Sequence, residues 1–97
     1  MEQEYTPEEK QRIVESFIHG GILVNMPSQR KKQLIILAEM AKLFELDRTY
    51  AEKEVNALLA PIYEDFVTLR RDLVEAKFLA RAHGVYWKVD TEAKNGL

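Results

Sequence analysis

Residues 61–89 run PIYEDFVTLRRDLVEAKFLARAHGVYWKV, and this stretch decides the fold. Pro61 ends any helix arriving from upstream, because its ring removes an N–H and clashes with the preceding turn. Beyond it, Ile62, Phe66, Leu69, Leu73 and Ala76 fall within an arc of about 80° at helical spacing. The pattern predicts an amphipathic helix from Ile62 or Tyr63 to Ala76. After Lys77 the period shortens. Phe78-Leu79-Ala80-Arg81 and Val85-Tyr86-Trp87-Lys88-Val89 are β-prone runs around Ala82-His83-Gly84, which predicts a hairpin. Successive strand residues face opposite sides, so one of Tyr86 and Trp87 belongs to the core; either assignment fits the sequence.

Upstream, a short helix from Glu52 to Leu59 is expected to bury Val55, Leu58 and Leu59. Thr49-Tyr50 before it is a candidate extended piece after a loop at 45–48. Ser28 is positioned to cap a longer helix reaching about Phe44, with Leu34, Leu37, Ala38, Ala41 and Phe44 on one face. Ile36, Met40 and Leu43 widen that face, as in a central helix with neighbours on two sides. Nearer the start, Thr6-Pro7-Glu8-Glu9 combines a cap, a proline at the first helical position and a capping-box glutamate. Ile13, Val14, Phe17 and Ile18 form its apolar stripe. Gly20-Gly21 stops it, and Ile22-Leu23-Val24 is a brief extended segment before the turn at Asn25-Met26-Pro27.

The order helix, extended piece, short helix, turn, helix, hairpin predicts an α+β, mostly helical fold. Specifically it predicts a winged helix-turn-helix with an extra N-terminal helix and a C-terminal β-hairpin wing. One domain is expected over residues 1–97: a helical extension at 6–24, a winged-helix core at 28–89 and a tail at 90–97. A plain helical bundle would leave the β-prone end unexplained.

Tyr50-Ala51-Glu52-Lys53-Glu54-Val55-Asn56, the run from Tyr63 to Val74, and Gly84-Val85-Tyr86-Trp87-Lys88-Val89 resemble an uncharacterised bacterial family, a domain of unknown function. Phe17 to Gly21, Leu23, Pro27 and Arg30-Lys31-Lys32 extend the resemblance over nearly the whole chain. Members occur alone or within proteins described as transcriptional regulators, so the resemblance implies a regulatory context without an established activity. The family usually has Thr at the position of Ala51. Its loss removes an N-cap worth about 1 kcal/mol, unless Thr49 caps one turn earlier with Glu52.

Composition narrows the function classes. The 97 residues carry a net charge of −2, and no cysteine is present. That excludes a disulfide scaffold, a thiolate metal site and a cysteine nucleophile. Met1–Lys10 is acidic and polar, unlike a signal peptide. The longest apolar run, Leu34–Ala38, is far short of the roughly 20 residues a membrane span needs. A cytoplasmic protein without a membrane segment is expected. The negative charge is unevenly placed: residues 1–10 hold −3 and residues 90–97 hold −1, which leaves +2 for residues 11–89.

No catalytic constellation emerges. His19 and His83 are far apart in sequence, no serine sits in a nucleophile-elbow pattern, and no glycine-rich phosphate loop occurs. The glutamates of the first helical turns complement helix dipoles. The expectation is a protein that is not an enzyme, with no cofactor, no metal and no evident small-molecule ligand.

Duplex DNA is the sharper candidate partner. In a winged helix the second helix of the helix-turn-helix enters the major groove and the wing reaches the backbone or minor groove. Opposite the apolar arc of 63–76 lie Glu64, Val67, Thr68, Arg71 and Glu75. Arg71 is placed for a bidentate contact to guanine, and Thr68 for a phosphate or a thymine methyl. Arg81, His83 and Lys88 belong to the hairpin. Arg30, Lys31 and Lys32 oppose the positive end of a helix dipole, where phosphate contact would compensate them. The counter-reading is that Arg71 pairs with Glu75 one turn on, and that the three cations merely solvate an apolar helix. Arg70 borders the apolar arc, so its stem is expected over the core with its head in water. The stripe of the N-terminal helix needs a cover, either its own chain or a second copy, so a homodimer is a candidate. A winged-helix protein-interaction or dimerisation module without significant DNA binding is the alternative function.

Overall fold

A computed structural model describes residues 5–90. It is a small α+β protein with four helices and two small antiparallel sheets among those residues. Residues 1–4 and 91–97, which include Glu2, Glu4 and Glu92, lie outside the described residues.

Helix α1 (Pro7–Phe17) starts with the capping box its sequence predicts. Glu9 N–H donates to Thr6 Oγ1 at 3.1 Å, and Thr6 N–H donates to Glu9 Oε1 at 2.8 Å. Ile18 leaves the helix, contrary to the predicted stripe. It begins β1 (Ile18–His19), which pairs with β2 (Ile22–Leu23) around Gly20 and Gly21. Both glycines have positive φ, +59° and +80°, the geometry of a two-residue hairpin turn that a side chain would strain. The glycine pair therefore makes a hairpin rather than only a helix stop. Ile13 is buried and Phe17 and Ile18 pack on the core, so α1 is covered by its own chain, chiefly α2. Leu23 is also buried, and its N–H donates to the Ile62 carbonyl at 2.9 Å. The N-terminal extension is thus built into the single core.

Helix α2 (Arg30–Ala41) begins after Gln29, not after a capping Ser28. Gln33 secures the entry instead, donating from Nε2 to the Pro27 carbonyl at 2.9 Å. The helix ends before Phe44 because the chain tightens: Lys42, Leu43 and Phe44 N–H groups each donate to the carbonyl three residues back. The buried face is Ile36, Leu37, Met40, Ala41 and Phe44, while Leu34, Ala38 and Leu43 are exposed. The predicted face is rotated because this helix is apolar on nearly every side, so periodicity alone underdetermines its orientation.

Strand β3 (Thr49–Ala51) leads into α3 (Glu52–Leu59) with Ala51 at the N-cap. Thr49 lies in the strand and supplies no cap. Half a capping box survives, since Ala51 N–H donates to Glu54 Oε1 at 2.8 Å. Helix α4 (Phe66–Glu75) starts later than its apolar arc implies. Asp65 caps it, its Oδ1 accepting from Thr68 N–H at 3.3 Å, while 60–65 form a turn. The helix closes with Lys77 at φ +71° and a bond from Phe78 N–H to the Leu73 carbonyl, a Schellman ending.

Strands β4 (Leu79–Ala82) and β5 (Val85–Lys88) form the predicted hairpin around His83 and Gly84, both with positive φ. The sheet order is β3-β5-β4. Tyr50 pairs with Tyr86, which pairs with Arg81; Thr49 pairs with Trp87, which pairs with Ala80. This register sends Tyr50 and Tyr86 into the core and leaves Trp87 on the outer face, 37% exposed. Leu59, Leu69, Leu73 and Val55 are fully buried against them, each contributing about 2 kcal/mol by removal from water.

Candidate nucleic-acid interface

The outward face of α4 carries Val67, Thr68, Arg71 and Glu75, all exposed, with Glu64 exposed just before the helix. This is the face that the sequence opposes to the apolar arc. Arg71 does not pair with Glu75: among the described residues neither Arg71 nor Arg81 forms a side-chain hydrogen bond or an ion pair. The two arginines come from different elements, α4 and β4. They line one small concavity of about 150 Å³ together with Val74, Glu75 and Tyr86. Arg81 rests over the Tyr86 ring, 5.8 Å from its centre, a cation–π distance, and is exposed.

The other predicted cations are distributed differently. Arg30 is exposed at the start of α2, and its Nη1 donates to Gln33 Oε1 at 3.3 Å. It is near enough to α4 to act electrostatically on Asp72. Lys31 is exposed and Lys32 is half-buried. Lys88 is half-buried, and its Nζ donates to the Phe44 carbonyl at 3.2 Å, which ties the hairpin to the end of α2. Its charge serves an internal contact, and Arg81 is left as the outward cation of the hairpin strands. Thr68 is exposed, and its N–H is held by Asp65.

Carboxylates interleave with these cations. Asp72 is held above the usual carboxylate range, first by burial and then by Glu75 and Asp65, against the opposing pull of Arg30 and Arg71.

A polar cluster that the sequence did not reveal supports the site from beneath. The Arg70 head does not stand free in water as expected; its side chain is only 12% exposed and turns to protein partners. Nη1 donates to Asn56 Oδ1, and Nη2 lies 3.8 Å from Glu52 Oε2. Arg70 Nε is buried without a partner. Tyr86 donates from its hydroxyl to Glu52 Oε1 at 3.0 Å. Its ionisation is pushed up by burial and by that bond. Glu52, Asn56, Arg70 and Tyr86 thereby lock α3, α4 and β5 together beneath the ring that carries Arg81. The contact joins residues up to 34 apart, so periodicity carries no trace of it; the one local signal is an arginine at the edge of an apolar arc.

His19 and His83 are both exposed, one in each hairpin. Among the described residues no group of three His, Cys, Asp or Glu side chains is placed to hold a metal ion. Among them, too, no helix is long and apolar enough to cross a membrane.

Fold and surface together define a small α+β domain with a mixed-charge, arginine-bearing helix face. Residues 22–88 match the model of a bacterial family described as an uncharacterised protein conserved in bacteria (DUF2087), and the chain belongs to that family. No curated protein and no solved structure shows significant similarity to it.

Proposed function

We propose that the protein is a winged helix that binds duplex DNA and acts as a transcriptional regulator. In this reading α2, α3 and α4 are its three helices, α4 is the recognition helix, and the β4–β5 hairpin is the wing. The chain order α2, β3, α3, α4, β4, β5 and the sheet order β3-β5-β4 support the assignment. The observation that carries the function is the convergence of two unpaired arginines, Arg71 and Arg81, on one exposed concavity. Thr68 extends that face toward the start of α4. Arg30, Lys31 and Lys32 supply auxiliary charge at the start of α2. Fluorescence anisotropy with a mixed-sequence duplex tests the reading. The native protein binds, R71A and R81A bind more weakly, and K10A on α1 binds as the native protein does. Equal binding by R71A, R81A and the native protein removes α4 as the contact.

A second reading, a protein-interaction or homodimerisation module, draws on the outer face of the three-stranded sheet. There Val85 and Trp87 are 38% and 37% exposed beside Thr49, Ala51, Ala80 and Ala82. In the α1 stripe, Ile13, Phe17 and Ile18 pack on their own chain, so this reading rests on the sheet face instead.

A further inference from the structure

We infer that Arg71 and Arg81 act together as a clamp on a single backbone phosphodiester of duplex DNA, not as one base-reading and one separate backbone residue. The inference rests on the DNA-binding reading and specifies its chemistry. Arg71 and Arg81 line the same concavity of about 150 Å³, which is large enough to admit one phosphate group. Neither forms a hydrogen bond or an ion pair among the described residues, so no such contact must break before an anion enters, although Asp72 lies within electrostatic range of Arg71. Arg81 is pre-oriented on the Tyr86 ring, and Tyr86 is itself fixed by Glu52. Guanidinium groups form paired hydrogen bonds with phosphate oxygens, and a pre-oriented fork loses little freedom on doing so. Tyr86 donates its hydroxyl hydrogen bond to Glu52, which leaves the two arginines as the side-chain donors of the concavity. Glu75 lines it as well and opposes an entering anion. With two cations and one carboxylate the concavity keeps a net positive charge, and Glu75 tempers its affinity.

The test is a salt titration of binding to two duplexes, one G·C-rich and one purely A·T, for the native protein, R71A, R81A, the double variant and E75Q. Each neutralised phosphate contributes about 0.9 to the slope of log K against log salt. A shared phosphate predicts that the double variant loses about 1 from the slope, and two separate phosphates would cost about 2. Each single variant is expected to weaken binding roughly tenfold, equally on both duplexes. E75Q is expected to tighten binding several-fold on both. That gain cannot be produced by misfolding. A loss in R71A confined to the G·C-rich duplex, a slope change near 2, or weaker binding by E75Q overturns the clamp while leaving DNA binding intact. No binding by the native protein removes the DNA-binding reading and the clamp with it.

Discussion

Replacing Glu52 by Ala strips two partners at once, and the structure fixes how large the loss should be. Tyr86 is fully buried, and its hydroxyl has Glu52 as its acceptor at 3.0 Å. Arg70, 12% exposed, keeps Asn56 but loses its nearest carboxylate. A buried donor left unsatisfied costs about 1–3 kcal/mol. Loss of a carboxylate from the first turn of α3 adds a few tenths of a kcal/mol. E52A should therefore destabilise by about 2–3 kcal/mol. Y86F removes the same hydrogen bond from the other side, but half-exposed Glu52 can turn to water, so its cost is about 1 kcal/mol. The double variant is the decisive case. Once the carboxylate is gone, removing the hydroxyl relieves an unsatisfied group, so the double should be no less stable than E52A alone. Urea unfolding followed by circular dichroism gives all three values, and a 1 kcal/mol change moves Tm by about 4–8 °C in a domain of this size. Additive losses, with the double variant below E52A by the full Y86F cost, would refute the coupling.

Three other outcomes follow from particular residues. A51T restores a capping oxygen at a position with N-cap geometry, φ −70° and ψ 156°, and should stabilise by about 1 kcal/mol in thermal melts. Asp72 has a folded-state pKa raised above its ordinary value, so the folded state prefers the neutral acid. Stability from this group is fully present at low pH and is lost as pH rises through the raised value. D72N should then raise Tm at pH 7, modestly because the group is partly solvated. The advantage should vanish below about pH 3, where the carboxyl is neutral in both states. Leu69 is fully buried and Val67 is 40% exposed, two residues apart on α4. L69A should cost about 2–5 kcal/mol and V67A less than about 0.5 kcal/mol in urea unfolding. Similar costs would mean that α4 faces the core differently.

Local chemistry was the most legible part of the chain. Thr6, Pro7 and Glu9 specify the start of α1, and His83-Gly84 between β-prone runs specifies the C-terminal hairpin. In α4 a well-separated polar face made the exposure of Val67, Thr68, Arg71 and Glu75 readable before any tertiary contact was known. Where apolar residues surround a helix, as in α2, periodicity puts Leu34 on the main face and Ile36 at its margin, and packing against α1 and α4 reverses that order. The Tyr86–Trp87 ambiguity was resolved by strand register, since pairing with Tyr50 places Tyr86 inward. The Arg70 cluster and the use of Lys88 on the Phe44 carbonyl depend on contacts 14 to 44 residues apart, which no periodicity encodes.

The most direct test of DNA binding is the affinity of the native protein for a mixed-sequence duplex as salt is raised. Association at micromolar concentration or tighter at about 50 mM salt, with log K falling linearly against log salt, is the predicted result. No detectable binding at about 50 mM salt, or an affinity that does not respond to salt, would contradict it.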